Sequence, residues 1–210
     1  MAAPNGMSGM RAHSPLEAHL YLKVTPCASC GQGPWEARPP DGVTASPGAG
    51  SEGLLTVRAR CAHCGAERAF LFRCSPAGHD RPAEPASGAI NLTERASEII
   101  DLGQWLSLFH LLAEAAEGPS ENPDARRAAW LAAQCLDEAL KFYPSDDELP
   151  VKSAFATDAS RQTFAAHPEW FARQRLRDLR ERLPGLRPPR RPADEGPMDH
   201  RGAWWEFWKH

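Results

Sequence analysis

The pentapeptides CASCG, residues 27–31, and CAHCG, residues 61–65, repeat one pattern within a chain of 210 residues. Two cysteines separated by two residues present both sulfurs to one side of a tight turn. The glycine that follows tolerates the positive φ that such a turn creates. The pattern therefore predicts two equivalent turns that meet in space and gather four thiols.

Four thiols in this arrangement are a ligand set that structural zinc prefers. The predicted ligands of one zinc ion are Cys27, Cys30, Cys61 and Cys64. Buried thiols or two disulfides are the alternatives, but two CxxC pairs without a secretory signal favour metal, and residues 1–20 lack the apolar core of such a signal. Four thiolates close the coordination shell, so the ion is expected to be structural. His63, Cys74 and His79 remain as alternative ligands.

Strand-like segments flank both cysteine pairs. The alternation HLYLKV, residues 19–24, predicts a strand that runs into the first pair. Residues 54–60 predict a strand that enters the second pair, and residues 68–73 predict its return strand, while residues 32–53 form a long hairpin excursion. Over residues 18–73 the chain resembles the zinc-ribbon family, with a larger insertion between the two turns than compact ribbons have.

Three helical segments are expected after the ribbon: 101–117, 122–143 and 158–183. Asp101 can cap the first, and Gln104 can complete a capping box. The second begins at Asn122 with proline in its first turn and ends before Pro144. We expect these two to form an antiparallel hairpin. Pro168 breaks the third.

The predicted fold class is α+β, with an N-terminal β-rich zinc ribbon, a small helical bundle and a tethered aromatic C-terminal tail. The predicted divisions are a disordered N-terminus (1–15), the ribbon (16–74), a linker (75–100), the helical domain (101–185), a Pro/Arg-rich linker (186–202) and the tail (203–210). The chain also resembles bacterial proteins in which a ribbon with a segment such as HLYLKVTPCASCG precedes a helical region with a segment such as DEALKFYP. That likeness carries no function.

Charge is distributed unevenly along the chain. The formal net charge is -3, yet residues 101–157 hold ten acidic against four basic groups. The arginines expected to contact nucleic acid or an acidic partner are Arg173, Arg177, Arg180, Arg187, Arg190 and Arg191. The alternative is that the arginines of this region pair with the acidic surface of residues 101–148 or simply solvate one helix face.

The C-terminal segment carries four large aromatic side chains: Trp204, Trp205, Phe207 and Trp208. Leaving each of them in water would cost about 1.5 to 3 kcal/mol. We therefore expect the tail to dock on the protein's own helical core, on a second copy, or on a groove of a partner. An interfacial membrane anchor is a weaker reading because the segment is short.

No recognised catalytic motif is present: there is no Gly-rich phosphate loop, GxSxG elbow or HExxH sequence. Cys74 with His79, His110 or His167 is a nucleophile and base pair by residue identity alone. Cys135 is expected to be an inert core thiol. The longest apolar stretch, residues 102–116, is interrupted by polar side chains and predicts a core helix rather than a membrane span.

The expected function is therefore non-catalytic protein binding in the cytoplasm, as an adaptor, an accessory subunit or an inhibitory subunit of a bacterial complex. Self-association through the tail is a related expectation. One alternative is a nucleic-acid-binding regulator that uses the ribbon and the Arg-rich helix. A second alternative is an unrecognised enzyme.

Overall fold

A sheet of five strands and a set of five α-helices form the described part of the chain. The computed structural model describes residues 9–38, 43–47, 53–74, 89–117, 122–143 and 148–183. The strands are β1 (Met10–Ala12), β2 (Trp35–Ala37), β3 (Val43–Pro47), β4 (Gly53–Cys61) and β5 (Glu67–Cys74). The helices are α1 (Pro15–Val24), α2 (Leu102–Ala115), α3 (Pro123–Leu140), α4 (Asp158–Ala166) and α5 (Arg173–Arg182). The predicted α+β class is confirmed.

The chain divides into two compact units. The described residues of the first unit, within 9–74, carry the five strands and α1. The described residues of the second unit, within 89–183, carry the other four helices. Strand and helix are therefore largely segregated along the sequence, as an α+β protein requires.

In the first unit, the sheet has the order β1-β5-β4-β2, and β3 also pairs with β4. The β4–β5 hairpin is antiparallel, whereas β1 runs parallel to β5. Burial alternates along β4 and β5, so one face of the sheet holds the core and the other faces solvent. On the core face, Tyr21 of α1 meets the rings of Phe70 and Phe72 edge-on. One ten-residue helix thus packs against this face.

The strand predicted at residues 19–24 is wrong, because these residues belong to α1. Ser14 caps the helix by accepting a hydrogen bond from the backbone N–H of Glu17 at 3.1 Å, and Pro15 occupies the first turn. The Glu17 carboxylate reaches back to the backbone N–H of His13. A Ser-x-x-Glu capping signal at residues 14–17 therefore overrides the apolar alternation that follows it.

In the second unit, the helix boundaries predicted from capping residues are confirmed. Both hydrogen bonds of the Asp101–Gln104 capping box are present at 2.9 Å. Asn122 caps α3 by accepting from the N–H of Asp124 at 2.9 Å. The third helical region is broken as expected, since α4 and α5 are separated by a 3-10 turn at Pro168–Phe171.

Asp101 also joins α2 to the start of α4. Its carboxylate is almost fully buried and accepts hydrogen bonds from the N–H groups of Ala156 and Thr157 and from the hydroxyls of Thr157 and Ser160. The two helices approach closely beside it, because a Cβ added at Gly103 would lie 2.4 Å from Ser160 Oγ. This buried polar junction fixes the position of α4 on α2.

Several predicted divisions differ from the structure or lie outside it. β1 falls within residues 1–15, where no element was predicted. Residues 89–100 of the predicted linker contain the buried side chains of Ile90 and Ile100. Residues 186–202 and the aromatic tail at 203–210 lie outside the described residues.

Candidate metal centre

The sheet brings the two CxxCG turns together. Cys27 and Cys30 lie in the turn between α1 and β2, while Cys61 ends β4 and Cys64 lies in the turn that leads to β5. Because Trp35 at the start of β2 pairs with Cys61, the first turn is placed beside the second. The four cysteines that the sequence singled out are therefore gathered at one end of the sheet.

The two turns share one backbone geometry. The N–H of Gly31 donates to the carbonyl of Cys27 at 2.7 Å, and the N–H of Gly65 donates to the carbonyl of Cys61 at 2.9 Å. Both glycines have positive φ, 72° and 75°. A side chain at either position would be strained in this region of φ. The repeated sequence pattern is thus a repeated structural unit.

The sulfur positions are those of a coordination shell. Cys27 Sγ lies 3.7 Å from Cys64 Sγ, Cys30 Sγ lies 3.8 Å from Cys61 Sγ, and all four sulfurs lie within 4.8 Å of one another. A tetrahedral ion with ligand bonds near 2.3 Å places its sulfurs about 3.8 Å apart. A disulfide would need about 2.05 Å. The four cysteines could hold a metal ion, and they are not arranged as two disulfides.

The thiols of this cluster also influence each other's protonation. Burial raises the pKa of Cys27, but hydrogen bonds from the backbone of Ser29 and Cys30 and from neighbouring thiols outweigh it and lower the pKa to about 6. A backbone hydrogen bond from Gln32 lowers the pKa of Cys30, but burial and the other three cysteines raise it to about 12. Four adjacent thiols cannot all ionise cheaply without a cation between them, so metal binding and proton release are linked.

Of the alternative ligands, His63 and Cys74 lie in the described part of the chain, and neither joins this cluster. His63 is exposed and is not part of the group of four. Cys74 pairs with Gly53 at the opposite end of the β4–β5 hairpin, about 26 Å from Cys61 at the usual rise of a strand. His79 lies outside the described residues. Neither His63 nor Cys74 therefore belongs to the group of four sulfurs.

Among the described residues, the surroundings of Cys74, the proposed nucleophile, disfavour its thiolate form. Burial, followed by the charge of Glu17, raises the pKa of the Cys74 thiol to about 11. A catalytic thiol requires a cationic or basic neighbour that lowers its pKa, and a carboxylate has the opposite effect. Cys135 is fully buried in α3, and burial raises its pKa further still. Burial therefore disfavours the thiolate form of both cysteines.

The arginines of α5 are partly committed to the second unit itself. The Arg180 guanidinium donates to both carboxylate oxygens of Asp137, at 2.8 and 3.1 Å. Arg173 is half-buried, and its backbone N–H donates to the carbonyl of Glu148. Arg177 is exposed. The alternative that these arginines pair with the acidic surface of residues 101–148 thus holds for Arg180. Arg187, Arg190 and Arg191 lie outside the described residues.

A groove of about 710 Å³ lies between residues 89–94 and the C-terminal half of α3. Lys141 Nζ donates there to the carbonyls of Asn91 and Thr93 and to the Glu138 carboxylate, at 3.3, 2.7 and 2.7 Å. A lysine has three N–H donors, and each has an acceptor here. No sequence pattern indicates this network, because its two carbonyl acceptors lie 50 and 48 residues from Lys141. It fastens residues 89–94 to α3.

Sequence reasoning also missed two buried polar groups on α1. Glu17 and His19 are buried, and the His19 Nδ1–H donates to the carbonyl of Pro15 at 2.7 Å. Burial lowers the pKa of His19 to about 4, so the imidazole is neutral. The Ser14-x-x-Glu17 cap was the signal that could have placed both residues on a helix.

The candidate centre rests on its own geometry. No family model, no curated protein and no solved structure matches this chain. No helix among the described residues is long and apolar enough to cross a membrane. The four clustered sulfurs are therefore the feature from which a function has to be argued.

Proposed function

We propose that the four cysteines bind one zinc ion and that this ion has a structural role, as in a zinc ribbon. The observation that carries the proposal is the set of sulfur separations, 3.7 and 3.8 Å, which match the edges of a tetrahedral zinc thiolate site. Zinc with four thiolate ligands has no open position for water or substrate. The role of the ion is therefore to stabilise the fold of the first unit and not to perform catalysis.

The protein is then a binding protein, an adaptor or an accessory or inhibitory subunit of a bacterial complex. Exposed apolar side chains in the second unit support a protein partner. Leu149, Val151 and Trp170 are 48%, 45% and 42% exposed. The backbone N–H of Arg173 donates to the carbonyl of Glu148 at 2.8 Å. This hydrogen bond holds the segment of Leu149 and Val151 beside the segment of Trp170. Exposed aromatic side chains such as Trp170 are typical anchors of protein interfaces.

The aromatic tail is the second expected anchor, in trans to a partner or to another copy of the chain. Native mass spectrometry of the protein purified from its source, full-length and truncated after residue 202, tests this. We expect one zinc per chain in both forms and a bound protein in the full-length form alone. Deletion of residues 1–8, which is equally long, is the matched control and should leave the partner bound.

Three results would contradict the proposal. Absence of zinc from a fully folded chain removes the structural centre. Unfolding of the truncated form places the tail in the protein's own core. Retention of the partner after truncation would mean that another surface binds it. Trp170→Ala then tests whether the exposed side chains of the second unit form that surface.

A further inference from the structure

The solvent face of the sheet in the first unit is rich in arginine. Directly opposite residues on neighbouring strands share a face. Val57 and Phe70 lie opposite each other on the buried face. Side chains alternate along a strand, so Arg58 and every second residue from it lie on the solvent face. The charged side chains of this basic face are Arg11, Arg38, Arg58, Arg60 and Arg73, with Glu36 and Glu67.

The net charge of the basic face is opposite in sign to the net charge of the whole chain. Its five arginines and two glutamates give a net charge of +3, whereas the chain carries -3. All seven side chains are exposed. Glu67 forms an ion pair with Arg38, and Glu36 lies opposite Arg60 in the register. Arg58 lies opposite Ala69, and the Nε of Arg73 donates to the uncharged carbonyl of Gly9 at 3.1 Å, so these two arginines contribute to the excess positive charge.

The charge of the metal centre affects where on the basic face the positive potential is highest. A zinc ion with four thiolates carries a net charge of -2, which has to be counted in the local field. Arg60 lies closest to it, since a Cβ added at Gly65 in the second turn would be 3.0 Å from Arg60 Nη2. Arg11 lies opposite Arg73 in the register of β1 and β5, near the end of β5 that is far from the cysteines. The positive potential is thus strongest away from the cysteines.

We propose that the basic face binds the phosphate backbone of a nucleic acid. The cations of this face are all arginines, whose planar guanidinium groups match phosphate oxygens in a bidentate way. Arg58 and Arg73 lie about 14 Å apart, the rise of about four stacked nucleotides. The exposed strand residues of the face include no aromatic anchor of the kind that a protein interface needs. Charge complementarity thus favours a polyphosphate over a protein on this surface.

This inference goes beyond the proposed function, because it adds a second partner on a surface separate from the tail. The test is fluorescence anisotropy of the full chain with labelled single-stranded DNA of 20 nucleotides and with the matching duplex, titrated from about 50 to 200 mM KCl. We expect binding that weakens steeply with salt. The double variant Arg58→Gln with Arg73→Gln should bind about tenfold or more weakly at the lowest salt. Its log–log salt slope should be shallower by about 1.4 for single strands or 1.8 for duplex.

Matched variants separate this surface from general charge effects. Arg177→Gln with Arg182→Gln removes two exposed arginines from α5 and should leave affinity within about twofold. Arg58→Lys with Arg73→Lys keeps the charge and should keep the salt slope. The tighter of the two DNA probes identifies the form of nucleic acid. Unchanged zinc content and circular dichroism establish that each variant is folded.

Four results would overturn the inference. They are absence of wild-type binding at the lowest salt, binding insensitive to salt, equal loss in the α5 control pair, and equally tight binding of a poly-glutamate of matching charge. The last result would assign the face to acidic polypeptides. None of them bears on zinc content or on the tail, so this inference can fail while the proposed function stands.

Discussion

The two units of this chain differ in their cores and in the features that we expect to stabilise them. In the first, the core face of a sheet packs against a single helix of ten residues, and the turns that join its strands converge on four cysteines. In the second, four helices bury large side chains such as Trp105, Leu131 and Phe171. A small core needs a metal ion or other cross-link, whereas a larger core is stable through packing.

The difference shows where each unit is sensitive to change. A structural zinc ion contributes about 10 kcal/mol or more to folding, more than the few kcal/mol from any single buried side chain. The first unit should therefore respond to one chemical event at one site. The second should respond in smaller steps to changes at buried polar and tightly packed positions.

The largest expected effect follows from removing one sulfur ligand. Cys61→Ser should abolish stoichiometric zinc binding and unfold the first unit, because the loss is of the order of 10 kcal/mol. Zinc per chain by elemental analysis and limited proteolysis within residues 9–74 measure it. Cys135→Ala, which alters a buried thiol of α3, should keep the zinc. Full zinc content in Cys61→Ser would contradict the assignment of Cys61 as a required ligand.

The next largest effect is expected at Asp101 in the second unit. Asp101→Ala removes the shared acceptor of the N–H groups of Ala156 and Thr157 and of the buried Ser160 hydroxyl, and it should lower the free energy of unfolding by about 3 kcal/mol or more. Urea denaturation followed at 222 nm measures this. Asp158→Ala removes a carboxylate that is 87% exposed and should cost less than about 1 kcal/mol. Equal effects of the two variants would contradict the role given to Asp101.

Replacing Gly103 of α2 by alanine should lower stability, which is the opposite of what helix propensity predicts. Gly103→Ala would place a Cβ 2.6 Å from Ser160 Cβ and should destabilise the second unit by about 1 to 3 kcal/mol, although alanine is favoured over glycine in helices. Ser107→Ala, an exposed site one turn along α2, should be neutral or slightly stabilising. Thermal unfolding compares the two. A more stable Gly103→Ala variant would mean that α2 and α4 do not pack this closely.

The smallest expected effect concerns the ion pair between α5 and α3. A double-mutant cycle with Arg180→Gln and Asp137→Asn should give a coupling energy of about 0.5 to 1 kcal/mol, since the two side chains are 26% and 45% exposed. The same cycle with Arg177→Gln in place of Arg180→Gln should give a coupling near zero. Zero coupling for both would leave α5 as a solvated basic face.

Features signalled by adjacent residues were predictable from the sequence. The CxxCG turns and the caps at Asp101 and Asn122 depend on residues within four positions of each other. The break at Pro168 follows from proline alone. These signals fixed the candidate centre and the boundaries of the first two helices of the second unit.

Features that depend on distant pairing were not predictable. The HLYLKV segment alternates like a strand, but as α1 it is buried on more than one side, so its apolar pattern does not show the helical period. The basic face exists because β1 and β5 place Arg11 beside Arg73, sixty-two residues apart. The Arg180–Asp137 pair likewise joins positions 43 residues apart.

The central claim is that zinc at the four cysteines holds the first unit and not the second. Hydrogen–deuterium exchange of the full chain, with and without quantitative removal of zinc by a chelator, tests it most directly. We predict that the amides of β4 and β5 lose protection on chelation, while those of α2 and α3 keep it. Protection retained in β4 and β5 after the zinc has gone, or lost equally in both units, would contradict the account.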